Sequence, residues 1–257
     1  MSKAIYQPTG KAGEYARWAC NLYVGCSNDC DYCYCKRGAL GTVMGKPQAT
    51  LKKGFRDESE AFAVFRKELM RYHDRIIAEG GLFFSFSTDP CLPETLSLTV
   101  TCVAFATGVD VPCLLLTKRA DWILEKTDEW DFLKSVRKMV SIGFTLTGMD
   151  GMERGASPTR DRISAMKILH DAGFKTFASV EPVVDFEKAK EVIALTRECC
   201  DVYKIGLLSG DRGAYEGLDL QASVLDLMSF TEKTVREGAE VYWKKSIREV
   251  IVRPCHP

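Results

Sequence analysis

The chain has no net charge: 35 Lys and Arg balance 35 Asp and Glu over 257 residues. With neither sign in excess, nothing global draws it to nucleic acid or an anionic membrane, although a local basic groove stays open to it. It has no apolar run of about 18 residues, so no segment reads as a membrane span. Its opening stretch, MSKAIYQPTGKAGEYARWAC, holds no apolar run of signal-peptide length. These absences point to the cytoplasm and to no membrane partner. There is no low-complexity tract and no long Pro- or Ser-rich linker, so the expectation is a single domain over residues 1–257. Histidine is scarce: His73, His170 and His256 are all there is, and they form no metal-binding pair.

Cysteine is abundant instead. Eleven cysteines, an odd number, in a reducing compartment exclude a disulfide framework and leave buried thiols, metal ligands or redox chemistry. Cys102 and Cys113 lie in apolar segments and read as small core residues. Four others crowd the stretch GCSNDCDYCYC, residues 25–35. Cys26, Cys30 and Cys33 have the spacing C-x3-C-x2-C, with Cys35 close behind. Structural zinc usually pairs two separate knuckles, and there is no second one; Cys199 and Cys200 are adjacent and Cys255 stands alone. Three thiolates on one tight loop fit an iron–sulfur cluster held one cysteine short of the usual four, with Cys35 a candidate fourth ligand.

Along the chain, short apolar runs rich in β-branched and aromatic residues recur about every 30 residues, the length of one βα unit. They are NLYV (21–24), LFFSFS (82–87), VPCLLLT (111–117), VSIGFTLT (140–147), KTFASV (175–180), VYKIGLL (202–208) and VYW (241–243). Helical spacing fills the gaps, as in residues 57–80, where Phe62, Phe65, Leu69, Tyr72 and Ile76 repeat at three and four before Gly80. Residues 157–174 open on Ser-Pro and close at Gly173. Strands this apolar, alternating with helices, form a parallel sheet covered by helices, either an open doubly wound sheet or a (β/α) barrel. Both bind ligands at the carboxyl ends of the strands. The polar residues there are Gly25–Cys33, Thr88 and Asp89, Thr117 and Lys118, Thr147, Ser179 and Glu181, with Lys204 inside its strand.

The motif CSNDCDYC resembles the signature of radical S-adenosylmethionine (radical SAM) enzymes. With FSFSTDPCLPETLSLT, LLLTKR, the long run from GFTLTGMDGMERGASP to FASVEPVVD, and VYKIGLL, it is similar to the spore photoproduct lyase and DNA repair photolyase-like branch. The likeness runs from Ala19 to Leu208, which makes 19–208 the core and 209–257 a C-terminal extension. It implies an α/β fold, a partial (β/α)6 TIM-like barrel with parallel strands and outer helices, open on one side. It implies that Cys26, Cys30 and Cys33 ligate a [4Fe–4S] cluster and that S-adenosylmethionine (SAM) completes the fourth iron, leaving Cys35 a bystander. The resemblance assigns Tyr32 and Tyr34 to the adenine, Thr88 and Asp89 to SAM's polar end, and Lys118 to its carboxylate. Thr147 falls to the ribose or methionine, and Ser179 and Glu181 to the nucleoside. A charge-assisted hydrogen bond is worth about 1.5–3 kcal/mol, so losing Asp89 or Lys118 should weaken SAM roughly 10- to 100-fold. The implied chemistry is reductive cleavage of SAM to a 5′-deoxyadenosyl radical that abstracts hydrogen, with electrons from a donor such as flavodoxin or ferredoxin.

The sequence departs from the branch where a lyase donates hydrogen. Phe86 occupies the position of the donor cysteine; the nearest thiol, Cys91, is the candidate donor if its turn aims it inward. Arg154 replaces a proline of the branch in MERGASP. Contacts to DNA phosphates would fall to Lys46, Lys52, Lys53 and Arg56, or to Lys244, Lys245, Arg248 and Arg253. Three readings therefore stand: a radical SAM enzyme on a nucleic-acid lesion, one on a peptide, RNA base or metabolite, and a non-catalytic metal-binding protein.

Overall fold

The computed structural model describes residues 3–37, 41–208 and 213–252. Arg253, Cys255 and His256 lie outside the described residues. The strands are β1 (Ile5–Tyr6), β2 (Trp18–Cys20), β3 (Tyr23–Val24), β4 (Thr50–Leu51), β5 (Leu82–Phe84), β6 (Cys113–Thr117), β7 (Val140–Thr145), β8 (Lys175–Val183), β9 (Val202–Leu207) and β10 (Glu240–Trp243). The helices are α1 (Gly41–Met44), α2 (Glu58–Ala78), α3 (Leu96–Thr107), α4 (Asp121–Leu124), α5 (Asp128–Ser135), α6 (Thr159–Asp171), α7 (Phe186–Thr196), α8 (Leu220–Thr234) and α9 (Lys245–Val252).

One sheet organises the fold, in the order β1-β2-β5-β6-β7-β8-β9-β10. Every pair is parallel except β1 with β2. The order decides between the two architectures left open by periodicity. A doubly wound sheet reverses its strand order at a switch point, whereas here each strand lies beside its predecessor in the sheet. Right-handed crossovers in one direction put all connecting helices on one face, and the other face curls inward as a barrel wall. The architecture is thus the expected α/β partial barrel, lengthened by an antiparallel edge at β1 and a parallel strand at β10.

The first strand differs from its expected position. Residues 18–20 pair with β5, while Tyr23–Val24 peels away into a small hairpin with β4. The reason is the cysteine loop: the chain must leave the sheet after Cys20 to reach it. Elsewhere the periodicities hold. Asp57 caps α2 by accepting from the Glu60 amide at 2.8 Å, and Phe65, Leu69 and Ile76 on its inner stripe are fully buried. Each such side chain is worth about 1.5–3 kcal/mol of burial, which fastens the helix across the sheet. No helix among the described residues is long and apolar enough to cross a membrane.

Candidate active site

A cavity of about 460 Å³ opens at the carboxyl ends of the strands. The cysteine loop forms one wall, with Cys26, Cys30, Cys33 and Cys35 all lining it. The loop begins at Gly25, whose φ of +86° and close approach to the Gln48 carbonyl exclude any Cβ; an added one would lie 2.2 Å from that oxygen. Its far side is stitched to the segment between β7 and α6. The Asp31 amide donates to Met152 O at 2.9 Å and the Gly155 amide to Asn28 O at 3.0 Å, and Cys30 bridges Glu153 in antiparallel register. Arg154, the residue in place of proline, reaches Asp31 at 2.6 Å and Asp29 at 3.7 Å. The substitution therefore adds a two-carboxylate clasp on the loop.

Behind this wall lies a buried ion pair. Glu153 and Arg162 have no side-chain exposure and bond to each other, while the Tyr32 hydroxyl donates to the other Glu153 oxygen. Arg162 also donates to Thr145 O at 2.6 Å. Over the Tyr32 ring, 5.5 Å from its centroid, sits the Lys118 ammonium. Burial works against that charge, yet the Cys30 thiolate and the Glu153 carboxylate outweigh it and raise the Lys118 pKa. The thiols answer in different directions. Burial pushes Cys26 up to about 12 and raises Cys30, whereas a hydrogen bond from Cys35 lowers Cys33. Among the described residues, no three His, Cys, Asp or Glu side chains converge on a site for one metal ion.

Asp89 is fully engaged within the protein. Its Oδ1 accepts from the Cys91 amide at 2.9 Å and the Thr117 hydroxyl at 2.6 Å; its Oδ2 accepts from Asn28 Nδ2 and the Lys118 amide, both at 2.7 Å. A carboxylate offers about four lone-pair directions, and all are taken. The carboxylate thus ties the cysteine loop to the ends of β5 and β6. Two neighbours are in the opposite condition. Asn28 Oδ1 and Thr88 Oγ1, both on cavity-lining residues, are buried without a partner. An unmade hydrogen bond of this kind costs about 1–3 kcal/mol.

The opposite wall carries a second polar group. The Tyr15 hydroxyl donates to Glu181 Oε2 at 2.8 Å and lies 2.6 Å from Ser179 Oγ. Lys244, 1 % exposed, bonds the same Glu181 oxygen and stands 3.6 Å above the Tyr15 ring. Phe83 and Phe86 stack at 4.3 Å beside them. Lys204 turns its ammonium onto the carbonyls of Glu14 at 3.3 Å and Tyr15 at 3.0 Å, fastening the segment that carries Tyr15.

Of the residues picked from the sequence, Cys26, Cys30, Cys33, Tyr32, Tyr34, Thr88, Asp89, Lys118, Ser179 and Glu181 share this cavity. Thr147 and Cys91 are not on its wall. Thr147 is buried and accepts from the Met149 amide at 3.1 Å; Cys91 is buried in the hydrophobic core. Lys244 needs correcting: it is no surface cation for phosphate but part of the inner wall, because its partner Glu181 is there. Asn28, Glu153 and Tyr15 were missed. Arg162 was missed too, although a charge on the apolar stripe of α6, three and four residues ahead of Ala165 and Met166, is a readable sign of an inward partner.

The chain is 22 % identical over 261 residues to MJ0683, an uncharacterized protein of Methanocaldococcus jannaschii, covering 97 % of this chain and 90 % of that one. No protein-family model matches. A spore photoproduct lyase double mutant, solved with AdoMet and dinucleoside spore photoproduct bound, superposes with a TM-score of 0.65. The match covers 93 % of this chain and 80 % of the lyase at 16 % identity. The fold is that of spore photoproduct lyase. Streptococcus suis SuiB bound to S-adenosylmethionine superposes more loosely, with a TM-score of 0.52 at 13 % identity over 73 % of this chain and 45 % of SuiB. The likeness to spore photoproduct lyase agrees with the resemblance carried by the cysteine motif and its neighbouring segments.

Proposed function

We propose that this chain is a radical SAM enzyme. One observation carries the reading: the three cysteines of the C-x3-C-x2-C loop share a cavity with two buried, unpartnered oxygens, those of Asn28 and Thr88. Cys26, Cys30 and Cys33 would hold a [4Fe–4S] cluster and the rest of the cavity SAM. The pair supplies, when bound, an electron and a carbon-centred radical able to abstract hydrogen. The chain's own residues do the remainder. Asn28 and Thr88 offer acceptors to an ammonium or hydroxyl. Lys118 presents a cation to a carboxylate and to the thiolates. Asp89, with its oxygens filled, holds Asn28 and Lys118 in place instead of touching the ligand. Tyr34, 58 % exposed, offers a ring face at the mouth, and the stacked Phe83 and Phe86 keep the floor dry.

For the substrate, the similarity to a lyase solved with a dinucleoside spore photoproduct supports a nucleic-acid lesion. The cations argue for the other reading. Of the seven described candidates, Lys244 and Arg56 bond Glu181 and Glu60, Lys52 donates to Lys3 O at 3.0 Å, and Lys245 and Arg248 lie 3.6 and 3.8 Å from Glu249 and Glu14. With five of these seven candidates in contact with the protein's own acceptors, the site suits a compact substrate taken into the cavity better than a duplex held along its surface. The test is anaerobic reconstitution with iron and sulfide, then dithionite and SAM, with 5′-deoxyadenosine quantified by mass spectrometry. The expected result is product that disappears in Cys33→Ala. Zinc retained in place of a cluster would overturn the reading.

A further inference from the structure

The cavity offers one thiol more than the three that the proposed cluster uses. Cys35 lines it with Cys26, Cys30 and Cys33, is buried, and follows Cys33 in the short 3-10 turn Tyr34–Lys36. Its sulfur is in hydrogen-bond contact with Cys33 and lies 3.6 Å from Phe86 O. Its place is fixed from outside the cavity. An added Cβ at Gly45 would lie 3.0 Å from Cys35 O and 2.8 Å from Lys36 Cα, and one at Gly41 would lie 2.7 Å from Lys36 O. Helix α1 therefore seats backbone to backbone on the turn. Just beyond α1, Lys46 O accepts from the Cys26 amide at 2.9 Å. One segment thus fixes Cys26 and Cys35 together.

A [4Fe–4S] cluster held by three cysteines has one iron without a protein ligand, and thiolate is the ligand such clusters ordinarily take. The cavity's carboxylates are committed elsewhere. Asp89 has four donors on its oxygens, Glu181 holds Tyr15 and Lys244, and Asp29 holds Lys36 and Arg154. Among the described residues no histidine lines the cavity, and Cys91 is off its wall. In a cubane every iron neighbours the other three, so a sulfur in contact with one ligand is close to the open iron as well.

We infer that Cys35 caps the fourth iron of the cluster while SAM is absent, and that SAM displaces it. The inference rests on the radical SAM reading above, and it replaces the bystander role that the resemblance implies for Cys35. The exchange is redox-neutral. In the capped form an Fe–S bond joins the Cys35 thiolate to the iron. When SAM binds, that bond breaks and bonds from the iron to the SAM nitrogen and carboxylate form. The SAM ammonium gives up one proton and the thiolate takes one up. The thiol then rests against Phe86 O. The cap keeps an otherwise unligated iron in the cluster between turnovers.

The test uses the reconstituted full chain, freed of SAM, thiol reductant and excess sulfide so that no other ligand can cap the iron. An iron without a protein ligand is lost on mild oxidation, which leaves a [3Fe–4S] cluster with its own EPR signal. With ferricyanide, wild type is expected to keep its four irons, whereas Cys35→Ala should give severalfold more of that signal. SAM should also bind severalfold tighter to Cys35→Ala, because no cap has to be displaced; a merely structural role for Cys35 would weaken binding instead. Wild type that forms the three-iron cluster as readily as the variant overturns the inference, as does unchanged or weaker SAM binding in Cys35→Ala. Should Cys35→Ala not fold or load, wild type alone decides by Mössbauer spectroscopy. Before SAM is added the four irons should be alike, and SAM should set one apart; one iron already distinct before SAM counts against the cap. A cluster that cleaves SAM but fails these tests leaves the radical SAM reading standing, while a chain that takes up no cluster defeats that reading and the cap with it.

Discussion

Arg162→Met tests whether the cysteine loop is held from behind. The guanidinium and Glu153 are both without side-chain exposure, so methionine fills much of the space but leaves a carboxylate buried with the Tyr32 hydroxyl as its remaining bond from the pair's surroundings. Removing one member of a buried ion pair costs about 3–5 kcal/mol. At about 2–4 °C per kcal/mol for a chain of this length, Tm should fall by roughly 6–20 °C. Glu153→Gln should cost less, because Gln still accepts from Tyr32 and Arg162 keeps Asp150 at 3.2 Å and Thr145 O at 2.6 Å. In the double variant no buried charge opposes another, so the two losses should fall short of additivity by about 1 kcal/mol or more. The assay is thermal and urea unfolding of the iron-free protein followed by circular dichroism, with iron content after reconstitution as the functional readout. A Tm drop below about 2 °C for Arg162→Met, or strict additivity in the double variant, would refute the argument that this pair is a coupled brace.

Burial, with Lys244 beside it, brings the Lys204 ammonium down to about 8. The unfolded chain, titrating near the ordinary value of about 10.4, then holds more protons between those limits, so wild type should gain stability relative to Lys204→Met as pH rises from 8 toward 10. Urea midpoints at pH 7.5 and 10 check the sign, and a falling difference would contradict it. Asp89→Asn sets one acceptor and an amine against four donors, so it should cost about 3 kcal/mol or more in urea unfolding; a loss under about 1 kcal/mol would mean that the carboxylate is not the latch its geometry describes. If Lys46 and Lys53 alone of the described candidate cations reach phosphates, single-stranded oligonucleotide should bind with a log–log salt slope near −1.4, about −0.7 for each contact. A slope of about −4 would restore an extended nucleic-acid groove.

The helix-covered parallel sheet was legible because its evidence is local and repeated, whereas its form as a partial barrel came from the family resemblance and is decided by the strand order. Each βα unit carries its own apolar strand and its own helix stripe, and Phe65, Leu69 and Ile76 had to face the sheet whatever the topology. The cysteine loop was legible for the same reason, since its spacing is a property of a few consecutive residues. What escaped depends on pairings across long separations. Glu181 was readable as a polar residue at a strand end, but nothing near it in the chain announces Tyr15, 166 residues away, or Lys244, 63 residues on. Lys204 was noticed inside an apolar strand, and the structure supplies the reason: its ammonium rests on the carbonyls of Glu14 and Tyr15.

Asp89 shows the limit of carrying a role across on residue type. A carboxylate at a strand end beside a lysine invites a role in ligand binding, and only the positions of Asn28 and Thr117 reveal that its lone pairs are spent on scaffolding. The unsatisfied acceptors are next door, on Asn28 and Thr88. On the function proposed above, the polarity offered to the ligand would come from these neutral neighbours and not from the charged residue. That arrangement has a physical advantage: an amide oxygen pinned by a buried carboxylate presents a fixed dipole to an incoming cation with no charge of its own to desolvate. It also gives an observable distinction. Thr88→Val removes an acceptor that the protein itself leaves idle and should weaken SAM binding with little change in fold, whereas Asp89→Asn should disturb the fold first and binding as a consequence. Equal losses of stability in the two variants would dissolve the distinction between a ligand contact and the latch behind it.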